Sequence, residues 1–103
     1  MASRTRSVAW TALARDGLDE VLAYIAEDSL EAAEKVLEVI IGVAESLSVF
    51  AERGRVVPEV RDLSIREVFV YNYRLIYEVT PSEVRVLAFI HGARDFDQWL
   101  RSL

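Results

Sequence analysis

Residues 7 to 11, Ser-Val-Ala-Trp-Thr, alternate in polarity, a short period-two stretch that predicts a strand. From Ala12 the period changes, with Leu18, Val21, Leu22 and Ile25 recurring at helical spacing while Asp19, Glu20 and Glu27 fall elsewhere. This predicts a helix to about Glu27 with Thr11 as its N-cap, because a threonine hydroxyl can accept from an unpaired backbone N–H of the first turn. Gly17 weakens the pattern slightly. Asp28-Ser29 then interrupts the chain; either Asp28, with Glu31 three residues on, or Ser29 can cap the next element. A second helix is predicted from the stripe Ala33, Val36, Leu37, Ile40, Ile41, Ala44 and Leu47, with Glu34, Lys35, Glu38 and Glu45 outside it. So short a connection makes the two helices antiparallel neighbours.

Ala51 to Pro58 holds Gly54 and two arginines and reads as a surface loop. Beyond it the composition turns to strand formers. Ile65 to Tyr71, Tyr73 to Thr80 and Val84 to His91 are rich in Val, Ile, Tyr and Phe and are separated by short turns, which predicts a three-stranded antiparallel meander. Gly92-Ala93 ends it, and Asp95 is the expected cap of a short helical tail through Phe96, Trp99 and Leu100. The expected fold is one α+β domain over residues 1–103, ordered β-α-α-β-β-β with a short C-terminal helix. The helical hairpin packs on one face of a small antiparallel sheet.

A sheet with one wet face should alternate cleanly between apolar and polar positions. Here it does not. In the middle strand Leu75, Tyr77 and Val79 share one face, and Arg74, Ile76 and Glu78 the other. In the last strand the same alternation puts Val86, Ala88 and Ile90 together, opposite Arg85, Leu87, Phe89 and His91. One hairpin covers one face, so the second is left partly apolar. Either the tail around Phe96, Trp99 and Leu100 folds over it, or a partner does; the shortness of the tail favours a partner.

Composition narrows the classes. At 103 residues a single core is feasible without covalent staples. The absence of cysteine excludes a disulfide framework and any thiolate metal site, and with one histidine there is no convincing zinc set. The four glycines form no phosphate-binding loop, so neither metal nor cofactor is expected. Arg4 and Arg6 are followed by no apolar run of signal-peptide length, and no stretch approaches the roughly 20 apolar residues of a membrane span. A cytoplasmic protein with no membrane partner is the expectation. The net charge of −5 argues against a protein whose affinity comes from neutralising phosphates. That charge is segregated. Residues 1–51 carry nine acids and four bases, whereas residues 52–103 carry eight acids and eight arginines with no lysine. Arginine suits bidentate carboxylate contacts, so the second half is the expected meeting place for a protein partner with acidic side chains.

At Arg55-Val-Val-Pro-Glu59, Ile65-Arg-Glu67, Tyr73-Arg-Leu-Ile-Tyr-Glu-Val79 and His91-Gly-Ala-Arg-Asp95, the sequence resembles the RelE/ParE superfamily of toxins from bacterial toxin-antitoxin modules. Val8-Ala-Trp-Thr11, Ala23-Tyr-Ile-Ala26 and Ala32-Ala33 fit the same pattern, so the resemblance spans nearly the whole chain. It implies a curved antiparallel sheet behind a helical hairpin, and neutralisation by a cognate antitoxin protein that wraps the toxin. The antitoxin is expected on the second face, at Arg74, Ile76, Leu87, Phe89, Arg94 and Trp99.

Two activities occur in the superfamily. RelE-like members are ribosome-dependent mRNA endonucleases, and metal-free RNA cleavage needs a base, cations at the phosphate and an acid for the leaving oxygen. In those members two lysines before the Tyr-Arg motif, the motif arginine, an arginine after the last strand and a tail tyrosine fill these roles. This chain keeps the arginines as Arg74 and Arg94, but it has Ile65 and Glu67 near the lysine positions and Trp99 and Leu100 in the tail. The alternative reading is an endoribonuclease that uses Arg74, Arg94, His91 and Glu67 or Glu59, the glutamate and histidine forming a base and acid pair. The bland reading makes His91 structural and gives Arg74 and Arg94 to Glu78, Asp95 or Asp97. ParE-like members instead inhibit DNA gyrase and need no such constellation. The missing lysines and the acidity favour that branch: a non-enzymatic inhibitor of DNA gyrase, with no sequence-specific nucleic-acid binding of its own. A degenerate member that only binds antitoxin is the third reading.

Overall fold

The computed structural model describes residues 5–103, so most of the amino-terminal segment read for a leader, including Arg4, lies outside the described residues. In chain order the elements are β1 (Ser7–Trp10), α1 (Ala12–Ala26), α2 (Leu30–Ser46), β2 (Arg55–Val56), β3 (Ile65–Val70), β4 (Tyr73–Val79), β5 (Glu83–His91) and α3 (Ala93–Arg101). Five strands form one sheet in the order β1-β5-β4-β3-β2. The meander β3-β4-β5 is antiparallel as expected. The sheet is mixed, because β1 lies parallel to β5, from Ser7 opposite Glu83 to Trp10 opposite Val86. Both helices separate β1 from the meander in sequence, and a crossover of that length is what a parallel pair requires.

Local chemistry explains the helix ends. The Thr11 hydroxyl accepts from the Ala14 N–H at 3.1 Å and caps α1. Ser29, not Asp28, caps α2, accepting from Ala32 N–H at 3.0 Å. The third helix departs from expectation. Its cap is Gly92, at φ +93°, and Asp95 sits inside the first turn, where the positive end of the helix dipole favours an acid. The chain turns from strand to helix within one residue, and only glycine takes that backbone angle freely.

Gly17, unwelcome in a helix by propensity, is explained by packing. A Cβ there would lie 2.4 Å from the Phe89 carbonyl oxygen, so the bare Cα lets α1 lie directly on β5. The main core fills the space between the hairpin and one sheet face, with Leu18, Ile40 and Leu47 meeting Val68, Leu75, Tyr77, Val86 and Phe89.

The segment expected to be a surface loop is anchored. β2 pairs with β3, Arg55 opposite Glu67 and Val56 opposite Arg66. The buried Tyr77 hydroxyl accepts from Gly54 N–H at 3.0 Å and donates to the Ala51 carbonyl at 2.8 Å. Arg66 Nη1 donates to the Gly54 carbonyl at 2.7 Å. Two residues of strand are too few to show a period, which is why the pattern misses them.

The facial assignment of β5 is corrected by a bulge. Ile76 pairs with Ala88 and Tyr77 with Val86, leaving Leu87 extra. Its carbonyl accepts from the Thr11 hydroxyl at 3.2 Å, which ties the bulge to the start of α1. Parity reverses across it: Val84 and Val86 share the hairpin face with Phe89, while Ala88 and Ile90 join Ile76 on the other. No helix among the described residues is long and apolar enough to cross a membrane.

Candidate functional site

The second sheet face carries its own small core. Val57, Ile65, Ile76, Ala88 and Ile90 pack with Phe96 and Trp99 of α3, so the tail covers this part of the face itself. Helix α3 is strongly amphipathic, and its Phe96 and Trp99, three residues apart, both turn inward with ring centroids 5.9 Å apart. The expected exposed apolar face is therefore largely closed within the chain.

Beside this core, toward β2, lies a charged cluster. The Glu67 side chain has no solvent exposure. Its Oε2 accepts from Arg55 Nε at 2.6 Å, and its Oε1 lies 3.6 Å from Arg74 Nη1. The register produces this arrangement, since Arg55 is directly opposite Glu67 and Arg74 is a diagonal neighbour across β3 and β4. The Arg74 guanidinium also stacks 4.3 Å over the Phe96 ring and 5.6 Å from the Phe69 ring. Arg74 thus links the sheet to α3. Glu67 Oε1 and Arg74 Nη1 are both buried with no hydrogen-bond partner, facing each other at a distance too long for one.

The residues expected to meet an antitoxin do not form one exposed surface. Ile76 and Trp99 are buried in the second core, and Phe89 is buried on the opposite, hairpin face. Leu87 is half-buried against the second core, Arg74 is clasped as described, and Arg94 is exposed in the first turn of α3. Among the described residues Arg94 makes no ion pair, Arg74 pairs with Glu67 rather than with Glu78, Asp95 or Asp97, and Glu78 pairs with Arg85 instead.

The alternative catalytic set is also divided. Glu67 and Arg74 lie together on the second face. His91 is opposite Tyr73 on the hairpin side and meets its ring edge-on, centroids 5.0 Å apart. Glu59 is exposed in the segment after β2. A general acid and base must reach the same phosphodiester, and Glu67 and His91 point to opposite sides of the sheet. Among the described residues no group of three or more His, Cys, Asp or Glu is placed to hold a metal ion.

Arg55 and Phe69 are members of the cluster that the sequence did not single out for it. Arg55 stood in an expected loop, so its position over Glu67 depends on the unread β2 register; the Arg-Val-Val-Pro-Glu motif was the available signal. Tyr77 is the one strongly buried titratable ring here. Burial raises its phenol above the ordinary tyrosine range, against a smaller opposing effect of the Gly54 N–H bond.

A search of curated proteins finds no match. Among solved structures, one described as the chromosomal ParDE TA system from P. aeruginosa is similar, with a TM-score of 0.70 and 21% identity over 88% of this chain and 100% of that one. At that identity the likeness concerns the fold. The sequence itself matches the family model described as "ParE toxin of type II toxin-antitoxin system, parDE" over residues 8–96, nearly the full length, and the chain belongs to that ParE toxin family.

Proposed function

We propose that this chain is a growth-inhibiting toxin that acts by binding, with DNA gyrase as its target, and that a cognate antitoxin holds it inactive in the cytoplasm. The observation that carries the non-enzymatic reading is the state of Glu67. It is enclosed, held by Arg55 and Arg74, and on the opposite side of the sheet from His91. A carboxylate so committed has neither the access nor the partner to serve as a base, and of the two arginines that would stabilise a phosphate it neutralises Arg74, leaving Arg94 alone in the first turn of α3. The acidic hairpin half adds support, since docking into an RNA-lined site gains from a basic surface.

For the antitoxin, the accessible members of the expected set, Arg74, Leu87 and Arg94, are the proposed direct contacts. Ile76 and Trp99 support them from beneath, and Phe89 shapes the sheet from the other face. Hydrogen exchange with and without antitoxin should show added protection in β4, the bulge at Leu87 and the start of α3. Protection confined to the outer surface of α2 would oppose it.

The activity is tested by giving the purified chain to a gyrase supercoiling assay and to a ribosome-dependent mRNA cleavage assay. Loss of supercoiling without cleavage is expected. Site-specific cleavage of ribosome-bound mRNA, abolished by His91→Ala or Arg74→Ala, would overturn the reading.

A further inference from the structure

A pocket on the hairpin side, where β4 begins and β5 ends, has no part in the cluster around Glu67. It is lined by Glu20, Val21 and Tyr24 of α1 and by Tyr73 and His91 of the sheet, with a volume of about 350 Å³. Each wall has a structural cause. Glu20 and Tyr24 are four residues apart on α1 and so occupy the same side of the helix. Tyr73 and His91 are direct cross-strand partners, and Phe89 backs Tyr73 with ring centroids 5.2 Å apart. Tyr24 is 73% exposed, an aromatic ring left standing in water with no packing role to explain it.

We infer that this pocket receives a cationic side chain, arginine or lysine, presented by a protein partner. Two tyrosine rings and an imidazole ring line it, with the exposed Tyr24 as its accessible aromatic ring, Val21 as its aliphatic residue beside which an alkyl stem can lie, and Glu20 as its single carboxylate. Aromatic faces attract a cation through their quadrupole, and a carboxylate at the rim completes the charge balance. The wider field has the same sign, because residues 1–51 contribute the entire net charge of −5. Along α1, Glu20 also borders a second cleft whose lining includes Asp16 and Asp95, so the approach to the pocket is acidic. An acidic or phosphate-bearing group would meet repulsion here, and a purely apolar side chain would leave Glu20 unused. The inference goes beyond the antitoxin and gyrase assignments and does not depend on either.

The test uses the free protein and small probes, so that its failure is distinct from failure of the toxin reading. N-acetyl-L-arginine N-methylamide is titrated into ¹⁵N-labelled protein, with the N-acetyl-norleucine analogue as a neutral control of similar stem. Saturable amide shifts at residues 20–24, 73 and 91 are expected with the arginine probe only, at a dissociation constant in the range of about 1 to 10 mM. Tyr24→Ala and Glu20→Gln alter exposed positions and should each weaken binding about two- to fivefold, and together about tenfold. Equal shifts with norleucine, shifts elsewhere only, an unchanged affinity in the double variant, or no saturable shift up to about 50 mM would each overturn the inference.

Discussion

Removing the charge of Glu67 while keeping its shape, as Glu67→Gln, separates a structural clamp from a catalytic base. Its side chain has no exposure, whereas those of its partners Arg55 and Arg74 are 59% and 24% exposed. Arg55 can therefore recover most of its hydration when the carboxylate is lost, and Arg74 only part. Breaking a fully buried ion pair costs about 3–5 kcal/mol and a charge-assisted hydrogen bond about 1.5–3 kcal/mol. With both guanidiniums partly wet, the lower range applies, and Glu67→Gln should cost about 2–3 kcal/mol. For a domain of this size that lowers Tm by roughly 10–20 °C. The arginines then act as alternates. Arg55→Ala leaves Glu67 with Arg74, and Arg74→Ala leaves it with Arg55, at about 1–2 kcal/mol each, the second including the lost stacking on Phe96. The double variant strands a buried carboxylate, so its cost should exceed the sum of the two by about 1 kcal/mol or more. Adding Glu67→Gln to that double variant should restore stability. Urea unfolding of these variants measures all of this. Additivity within about 0.5 kcal/mol, or a Glu67→Gln cost below that figure, would refute a carboxylate enclosed between two arginines.

Other outcomes rest on single contacts. By propensity Gly17→Ala should stabilise α1 by about 1 kcal/mol, but the added Cβ meets the Phe89 backbone at 2.4 Å, so net destabilisation of about 1–3 kcal/mol is expected in denaturant melts. Tyr77→Phe leaves the Gly54 N–H and the Ala51 carbonyl without their partner inside the protein and should cost about 1–3 kcal/mol, again read by urea unfolding. The same ring predicts an alkaline limit. Because burial raises its folded-state value, its contribution is complete below the ordinary tyrosine range and is lost as pH climbs through and above it; absorbance at 295 nm should show a late-ionising phenol in the folded protein that is absent from Tyr77→Phe.

What could be read from the chain was what repeats. The helical stripes and the three long strands each rest on several residues in period, and the structure keeps them, with Thr11 capping α1 where the period changes. The features that escaped are single events. The bulge at Leu87 inserts one residue into β5 and moves Phe89 and His91 to the hairpin side, which no alternation rule can foresee. Strand β2 is two residues long, and with it went the placement of Arg55 over Glu67. The closing of the second face by α3 depends on Phe96 and Trp99 reaching the sheet from a tail of nine residues, made possible by the positive φ of Gly92. Family membership was readable because it rests on an ordered set of motifs along the chain, not on any one of these contacts.

The proposed activity is gyrase poisoning by binding, without RNA chemistry. Its most direct test is a plasmid incubated with gyrase, ATP and the purified chain, then stopped with detergent and protease to reveal trapped DNA breaks. Linear plasmid should accumulate with toxin concentration, to the same extent with His91→Ala, and disappear when cognate antitoxin is added. An intact plasmid at every concentration, from a preparation that cleaves ribosome-bound mRNA, would exclude gyrase poisoning and establish the endoribonuclease reading.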